Sequence, residues 1–148
     1  MSKRPAIIVD MDGTLADVSG IRHHVRRPAR DFDTFHRLSV DVPVNHEVRK
    51  IVRKAWDAGF DVLIVTARRE KWRHQTAWFL ALHNIPSTAL IMRGDHDGRP
   101  DVEVKRDMLH QFILPAWNPT LAVDDNPSVI AMWEAEGIPT EVIPGWED

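Results

Sequence analysis

Five apolar runs recur along the chain, with stretches of mixed character between them. They occupy 6–9, "FDVLIVT" at 60–66, "TALIM" at 88–92, "TLAVDD" at 120–125 and "TEVI" at 140–143. Most are continuous rather than alternating, which suits strands covered on both faces, as in a parallel sheet between helices. The intervening segments carry helical spacing. Asn45 is a candidate N-cap, followed by Val48, Ile51, Val52, Ala55 and Trp56, with Gly59 as terminator. A second helix is expected over about 70–84, bearing Trp72, Ala77, Phe79, Leu80 and His83. A third, over about 102–114, is expected to turn Val104, Met108, Leu109 and Phe112 inward. A fourth begins with Asn126 as cap and Pro127 at its first position, carries Val129, Ile130 and Trp133, and stops at Gly137. Strands alternating with single helices predict an α/β fold around a parallel sheet of about five strands. Residues 16–44 break the rhythm. This insert is polar, holds Pro28 and Pro43, and reads as a long loop, of the kind that is usually functional or disordered. The tail "PGWED" reads as a surface end.

Length and charge narrow the picture. At 148 residues the chain is expected to form a single domain over 1–148. A formal net charge of -3 provides no overall basic field, so any polyanion must meet a local patch. The absence of cysteine excludes disulfides, cysteine-zinc sites and thiol catalysis. No apolar run approaches the ~18 residues of a membrane span. The basic start, "MSKRPAIIVD", leads into an apolar stretch too short for a signal peptide, so a cytoplasmic location is expected (the host cytoplasm if the chain is phage-encoded).

In open parallel sheets, ligands bind beyond the carboxyl ends of the strands. Acids concentrate there. The first run ends in Asp10-Met11-Asp12-Gly13-Thr14, the second in Thr66-Ala67-Arg68 and the fourth in Asp124-Asp125, and Lys105 lies near the start of the third helix. Crowded carboxylates repel one another unless a cation neutralises them, and oxygen-only ligands suit Mg²⁺. A carboxylate can attack phosphorus, and a second acid two residues on can protonate the leaving oxygen and later accept a proton from water. That assigns attack to Asp10 and proton transfer to Asp12, with Gly13 permitting the turn. Thr66 can donate to a phosphate oxygen, Lys105 can balance charge on the phosphoryl group, and Arg68 can hold a phosphate bidentately.

Together, "DMDGT", "VTAR", the lysine of "DVEVK" and "AVDD" resemble, in order, the four motifs of the haloacid dehalogenase-like (HAD) phosphatase superfamily. The resemblance narrows to the 3'-phosphatase domain of bacteriophage-type polynucleotide kinase/phosphatase. The narrower features are Arg22 in "ADVSGIR", Ala67-Arg68 after the second-motif residue, Asp101 four residues before Lys105, and the context "LAVDDNPSVIAMWEAEGI". It implies a Rossmann-like three-layer α/β/α fold with a short flap at about 16–44 and no large cap domain. It further implies a Mg²⁺-dependent phosphatase working through an aspartyl-phosphate on Asp10, with Asp12 as acid/base. Thr66, Ala67, Arg68, Lys105 and Arg22 would bind substrate phosphate. Asp10, Asp12 (through its carbonyl), Asp124 and Asp125 would serve the metal, with the direct ligand of the last pair left open. Gly13, Thr14 and Asp101 would support the site. The expected substrate is the 3'-phosphate at a DNA or RNA end. The basic cluster Arg22, His23, His24, Arg26, Arg27 and Arg30 could follow a nucleic-acid backbone. No G-x-x-x-x-G-K-[ST] occurs, so no kinase half is contained in this chain. Two rival readings stand beside this one: a phosphatase of nucleotides or other small phosphomonoesters, and a phosphoacceptor receiver-like module. Receivers place their acidic pair after the first strand and the phosphoacceptor later, the reverse of the order here.

Overall fold

The computed structural model describes residues 2–26 and 30–146; Arg27, Pro28 and the last two residues of the tail lie outside the described residues. Strands β1 (Arg4–Val9), β2 (Asp61–Arg69), β3 (Ala89–Arg93), β4 (Trp117–Asp124) and β5 (Thr140–Val142) form one parallel sheet in the order β3-β2-β1-β4-β5. The helices are α1 (Phe32–Leu38), α2 (His46–Asp57), α3 (Arg73–Leu82), α4 (Asp101–Met108) and α5 (Pro127–Ala135).

The apolar runs are continuous because each strand serves two cores. In β1, Ile7 and Val9 join one cluster with Val48 and Val52 of α2 and Phe79 and Leu80 of α3. Ala6 and Ile8 point the other way, to Val104 and Met108 of α4 and to Val129, Met132 and Trp133 of α5. Burying each such side chain contributes about 1.5–3 kcal/mol, which makes β1 the anchor of a three-layer α/β/α architecture. The caps act as the sequence suggests. Asn45 Oδ1 accepts from the N–H groups of Glu47 (3.1 Å) and Val48 (3.4 Å), and Asn126 Oδ1 accepts from Ser128 N–H (3.1 Å).

Two local expectations need correction. The third helix does not keep α-periodicity to 114: after α4, residues Leu109–Ile113 form a π-turn. The wider turn rotates Phe112 out to 57% exposure and buries Ile113 in its place. The insert at 16–44 is also more than a loop. It holds a 3₁₀ turn at Arg22–His24 and the whole of α1, whose start is capped by Asp31 accepting from Thr34 N–H (3.0 Å). Phe35, Val42 and Val44 pin this flap to the core, and bridges Asp12↔Ala16 and Ala16↔Val44 tie its two ends together.

Chain direction from β1 proceeds to β2 and β3 on one side and to β4 and β5 on the other. The reversal leaves a crevice at the carboxyl ends of β1 and β4. Asp10 N–H donates to Val123 O (3.0 Å) at that point, so Asp10, Asp124 and Asp125 are delivered to one rim by adjacent strand ends. Among the described residues the flap alone is inserted between β1 and α2, no cap domain covers the rim, and no helix is long and apolar enough to cross a membrane.

Candidate active site

Asp10 is buried at the end of β1, held at both oxygens. Lys105 Nζ donates to Oδ1 (2.8 Å) and the Thr14 hydroxyl donates to Oδ2 (2.9 Å). Lys105 projects from α4 and is itself buried; its ammonium also reaches Asp124 Oδ2 (3.0 Å). One carboxylate oxygen from each of Asp10, Asp124 and Asp125 lies within 4.8 Å of the others. Burial, followed by the charge of Asp124, holds the Asp10 carboxyl well above the usual range. Burial and Asp124 likewise raise Asp125. Burial alone would lower Lys105, but the charges of Asp10 and Asp124 outweigh it and keep the ammonium protonated.

The pair after β4 is not symmetric. Asp124 Oδ1 accepts from the N–H groups of Asp125 (2.9 Å) and Asn126 (3.1 Å), and its Oδ2 takes Lys105 and the Trp133 indole N–H (3.4 Å). All four of its lone-pair positions are thus occupied. Among the described residues, the hydrogen bonds to Asp125 are longer, 3.4 Å from the Thr14 hydroxyl and 3.3 Å from Arg22 Nη2. Gly13 sits over it at φ +82°, where a Cβ would overlap the Asp125 carboxylate.

Asp12 follows the strand end and stands beside the cluster, half-buried. Its partner is Arg68, which donates from Nε to Oδ2 (2.9 Å) and from Nη2 to Oδ1 (2.5 Å). Nη1 of Arg68 goes to the Thr76 hydroxyl oxygen (3.0 Å), and that hydroxyl donates to Trp72 O (2.8 Å). Burial pushes Asp12 up, yet the charge and hydrogen bonds of Arg68 more than offset this and leave its carboxyl below the usual range. Arg68 points inward because the β2–β3 ladder slips between Thr66 and Arg69, an irregularity that re-aims the strand. Arg68, expected to hold a phosphate, is buried here with its guanidinium engaged by Asp12 and Thr76.

The remaining candidates divide. Thr66 is buried at the rim; its hydroxyl oxygen accepts from Arg68 N–H (3.1 Å), which leaves its own proton to donate. The Ala67 carbonyl is taken by Arg93 Nε (2.8 Å). Arg22 leaves the flap to meet Asp125, and also donates to Gly145 O (2.9 Å) and lies 5.7 Å from the Trp146 ring, so the tail is part of its setting rather than a free end. Asp101 is outside the acid cluster, paired with Arg93 Nη2 (2.6 Å). Of the basic cluster, His23, Arg26 and Arg30 are exposed, while His24 is half-buried.

Two residues escaped the sequence reading. Arg93, at the end of β3, is buried and binds Ala67 O, Asp97 O (2.9 Å), Arg99 O (2.6 Å) and Asp101, thereby joining the end of β2 to the start of the helix that carries Lys105. Its only signal was a charge closing an apolar run. His36 lies on α1, its ring 5.8 Å from that of Trp72, in the field of Asp12 and Arg68; burial lowers its pKa to about 4.

Comparison with known proteins agrees with this geometry. The family model described as polynucleotide kinase PNKP phosphatase domain matches residues 4–143. Among solved structures, a chain of a Pnkp1/Rnl/Hen1 complex superposes with a TM-score of 0.82 at 26% identity, over 97% of this chain and 47% of that one. A chain of a Pnkp1/Rnl/Hen1 RNA repair complex gives the same TM-score and identity over 95% of this chain and 42% of that one. The present chain thus spans about half the length of these two. The class C acid phosphatase from Bacillus anthracis shares the fold, with a TM-score of 0.71 at 17% identity, over 97% of this chain and 67% of that one.

Proposed function

The chain belongs to the polynucleotide kinase PNKP phosphatase-domain family, with a HAD-like fold, and on that premise we propose that it is a phosphatase removing the 3'-phosphate from DNA or RNA ends. The observation that carries the chemistry is the buried Asp10 carboxylate, oriented by Lys105 and Thr14 and crowded by Asp124 and Asp125.

The donor set fits a divalent cation that prefers oxygen, such as Mg²⁺. Of the three buried carboxylates, Asp10 and Asp124 share the Lys105 ammonium and Asp125 has the Arg22 guanidinium at 3.3 Å, while burial and the charge of Asp124 still hold Asp10 and Asp125 above the usual range. Asp10, the Asp12 carbonyl and Asp125 would hold it. Asp125 is favoured over Asp124 because the latter has no free lone pair and instead positions Lys105. When bound, such a cation neutralises the carboxylates and polarises a phosphoryl oxygen.

Asp10 attacks phosphorus; an O–P bond forms, the bond to the nucleoside 3'-oxygen breaks, and Asp12 gives that oxygen its proton. Water then attacks the aspartyl-phosphate, Asp12 takes a proton from it, and Asp10 is regenerated as phosphate leaves. Lys105 and the Thr66 hydroxyl face the phosphoryl oxygens as charge builds on them. Arg68 keeps Asp12 ionised in the resting site, as the second half-reaction needs. An entering phosphate dianion raises the proton affinity of Asp12 again, so the substrate itself assembles the acid form. Arg22, anchored beside Asp125, can pivot toward the phosphate from the flap.

The open rim admits the end of a polymer. The test is turnover, with Mg²⁺, of oligonucleotides ending in 3'-phosphate or 5'-phosphate and of 3'-mononucleotides. Preference for the 3'-phosphorylated oligonucleotide is expected, together with loss of activity in Asp10→Asn. Equal turnover of mononucleotides would replace the polymer reading with that of a small-phosphomonoester phosphatase, and an active Asp10→Asn would overturn the nucleophile.

A further inference from the structure

Between the flap helix α1 and the β2–α3 corner lies a cleft of about 380 Å³ lined by Asp33, Thr34, Arg37, Lys71 and Trp72. None of these side chains has a part in the chemistry above, yet a chain of contacts leads from the cleft to Asp12. The Trp72 carbonyl accepts from Thr76, whose hydroxyl oxygen accepts from Arg68, which grips Asp12. His36, beside the Trp72 ring, lies in the electrostatic field of Asp12 and Arg68 and also of Asp33 and Lys71. The cleft is therefore linked, through Thr76 and Arg68, to the carboxylate that would protonate the departing oxygen. What leaves with that oxygen is the nucleoside, so this is the leaving-group side of the site.

The lining suits a nucleotide. Trp72 offers an indole, and the Lys71 ammonium stands 5.4 Å from its ring centre. Lys71 is engaged by Asp33 (2.8 Å) in an exposed pair, of the kind that contributes little and that an entering phosphodiester can replace. Arg37 is exposed at the same mouth. Trp72 Nε1, on a lining residue, and His36 Nδ1, on the ring beside it, are buried without a hydrogen-bond partner among the described residues. A stacking aromatic beside two cations is the recurring recipe for single-stranded nucleic acid.

Resting on the function proposed above, we infer that this cleft seats the 3'-terminal nucleotide of the substrate strand, with its base or sugar against Trp72 and the next phosphodiester on Arg37 and Lys71.

The experiment compares wild type with Arg37→Ala/Lys71→Ala and with Trp72→Leu, using a 3'-phosphorylated oligonucleotide and p-nitrophenyl phosphate. Each variant is expected to lose kcat/KM on the oligonucleotide about tenfold more than on p-nitrophenyl phosphate. In an Asp10→Asn background, which binds without turnover, the double substitution should also reduce the slope of log Kd against log salt by about 0.7, from the one phosphodiester that Arg37 and Lys71 neutralise together on a single strand. Equal losses on both substrates, or an unchanged salt slope, would overturn the subsite. Because Trp72 is partly buried, the two exposed cations keep the test valid should Trp72→Leu fold poorly. A wild type that cleaves p-nitrophenyl phosphate and ignores the oligonucleotide would overturn the proposed function itself. A wild type active on the oligonucleotide with insensitive variants would overturn only the subsite.

Discussion

Lys105→Met removes the one ammonium that bridges Asp10 and Asp124, at 2.8 and 3.0 Å, from a place where all three side chains are buried. Methionine keeps the bulk of the stem, so the change is mostly one of charge. Taking one partner from a buried ion pair costs about 3–5 kcal/mol, because the remaining charge keeps its desolvation penalty and loses its compensation. The measurement is urea unfolding at pH 7.5 with EDTA present. The midpoint should fall by an amount equivalent to that figure while the slope is unchanged. The loss should shrink as pH is lowered. Asp10 already holds its proton well above the usual carboxylate range, and without Lys105 it binds that proton more tightly still, so acid neutralises the native state of the variant before the unfolded chain. Mg²⁺ should stabilise the variant more than wild type, since the removed charge no longer repels it; a hundredfold excess over Kd contributes about 2.7 kcal/mol. Activity should not return with stability, because no donor replaces Nζ. A variant as stable as wild type at both pH values would refute the assignment of Lys105 as the charge that makes the acid cluster tolerable.

Other perturbations separate the remaining roles. Arg68→Lys keeps the charge but loses the two-point grip on Asp12; kcat/KM on the 3'-phosphorylated oligonucleotide should fall at least tenfold, and the acidic limb of the pH–rate profile should move upward as Asp12 returns toward its ordinary pKa. His36 binds its proton near pH 4 when folded and near 6.5 when unfolded, so the unfolded chain takes up the proton first and stability drops by about 3 kcal/mol as pH falls through that window; His36→Leu should flatten this part of the stability–pH curve measured by urea titration. Gly13→Ala forces a side chain at φ +82° into the Asp125 carboxylate, and should lower stability by about 1–2 kcal/mol in thermal melts while abolishing Mg²⁺-dependent turnover.

Much of the architecture was legible because its signals are local. A strand such as 7–9, covered by helices on both faces, must be apolar at every position, and Asn45 and Asn126 announce helix starts through bonds reaching only two or three residues along. Helix α1 escaped notice for the converse reason: over seven residues it buries a single large side chain, Phe35, too little to establish a period. Phe112 was assigned inward by a periodicity that the π-turn at Leu109–Ile113 changes, burying Leu109 and Ile113 instead.

The sequence by itself determined the α/β class, the strand ends on which acids fall, and the family those acids belong to, since residue type and spacing of two to four positions carry that information. Only the tertiary structure decided partnership. Lys105 meets an aspartate 95 positions away, Arg68 closes on Asp12 rather than on open solvent because the strand slips at its end, and Asp124 and Asp125, alike as letters, differ once one has exhausted its lone pairs and the other has not. Electrostatic roles of this kind depend on distance and desolvation, which are properties of the folded crevice between β1 and β4 and of no shorter stretch of chain.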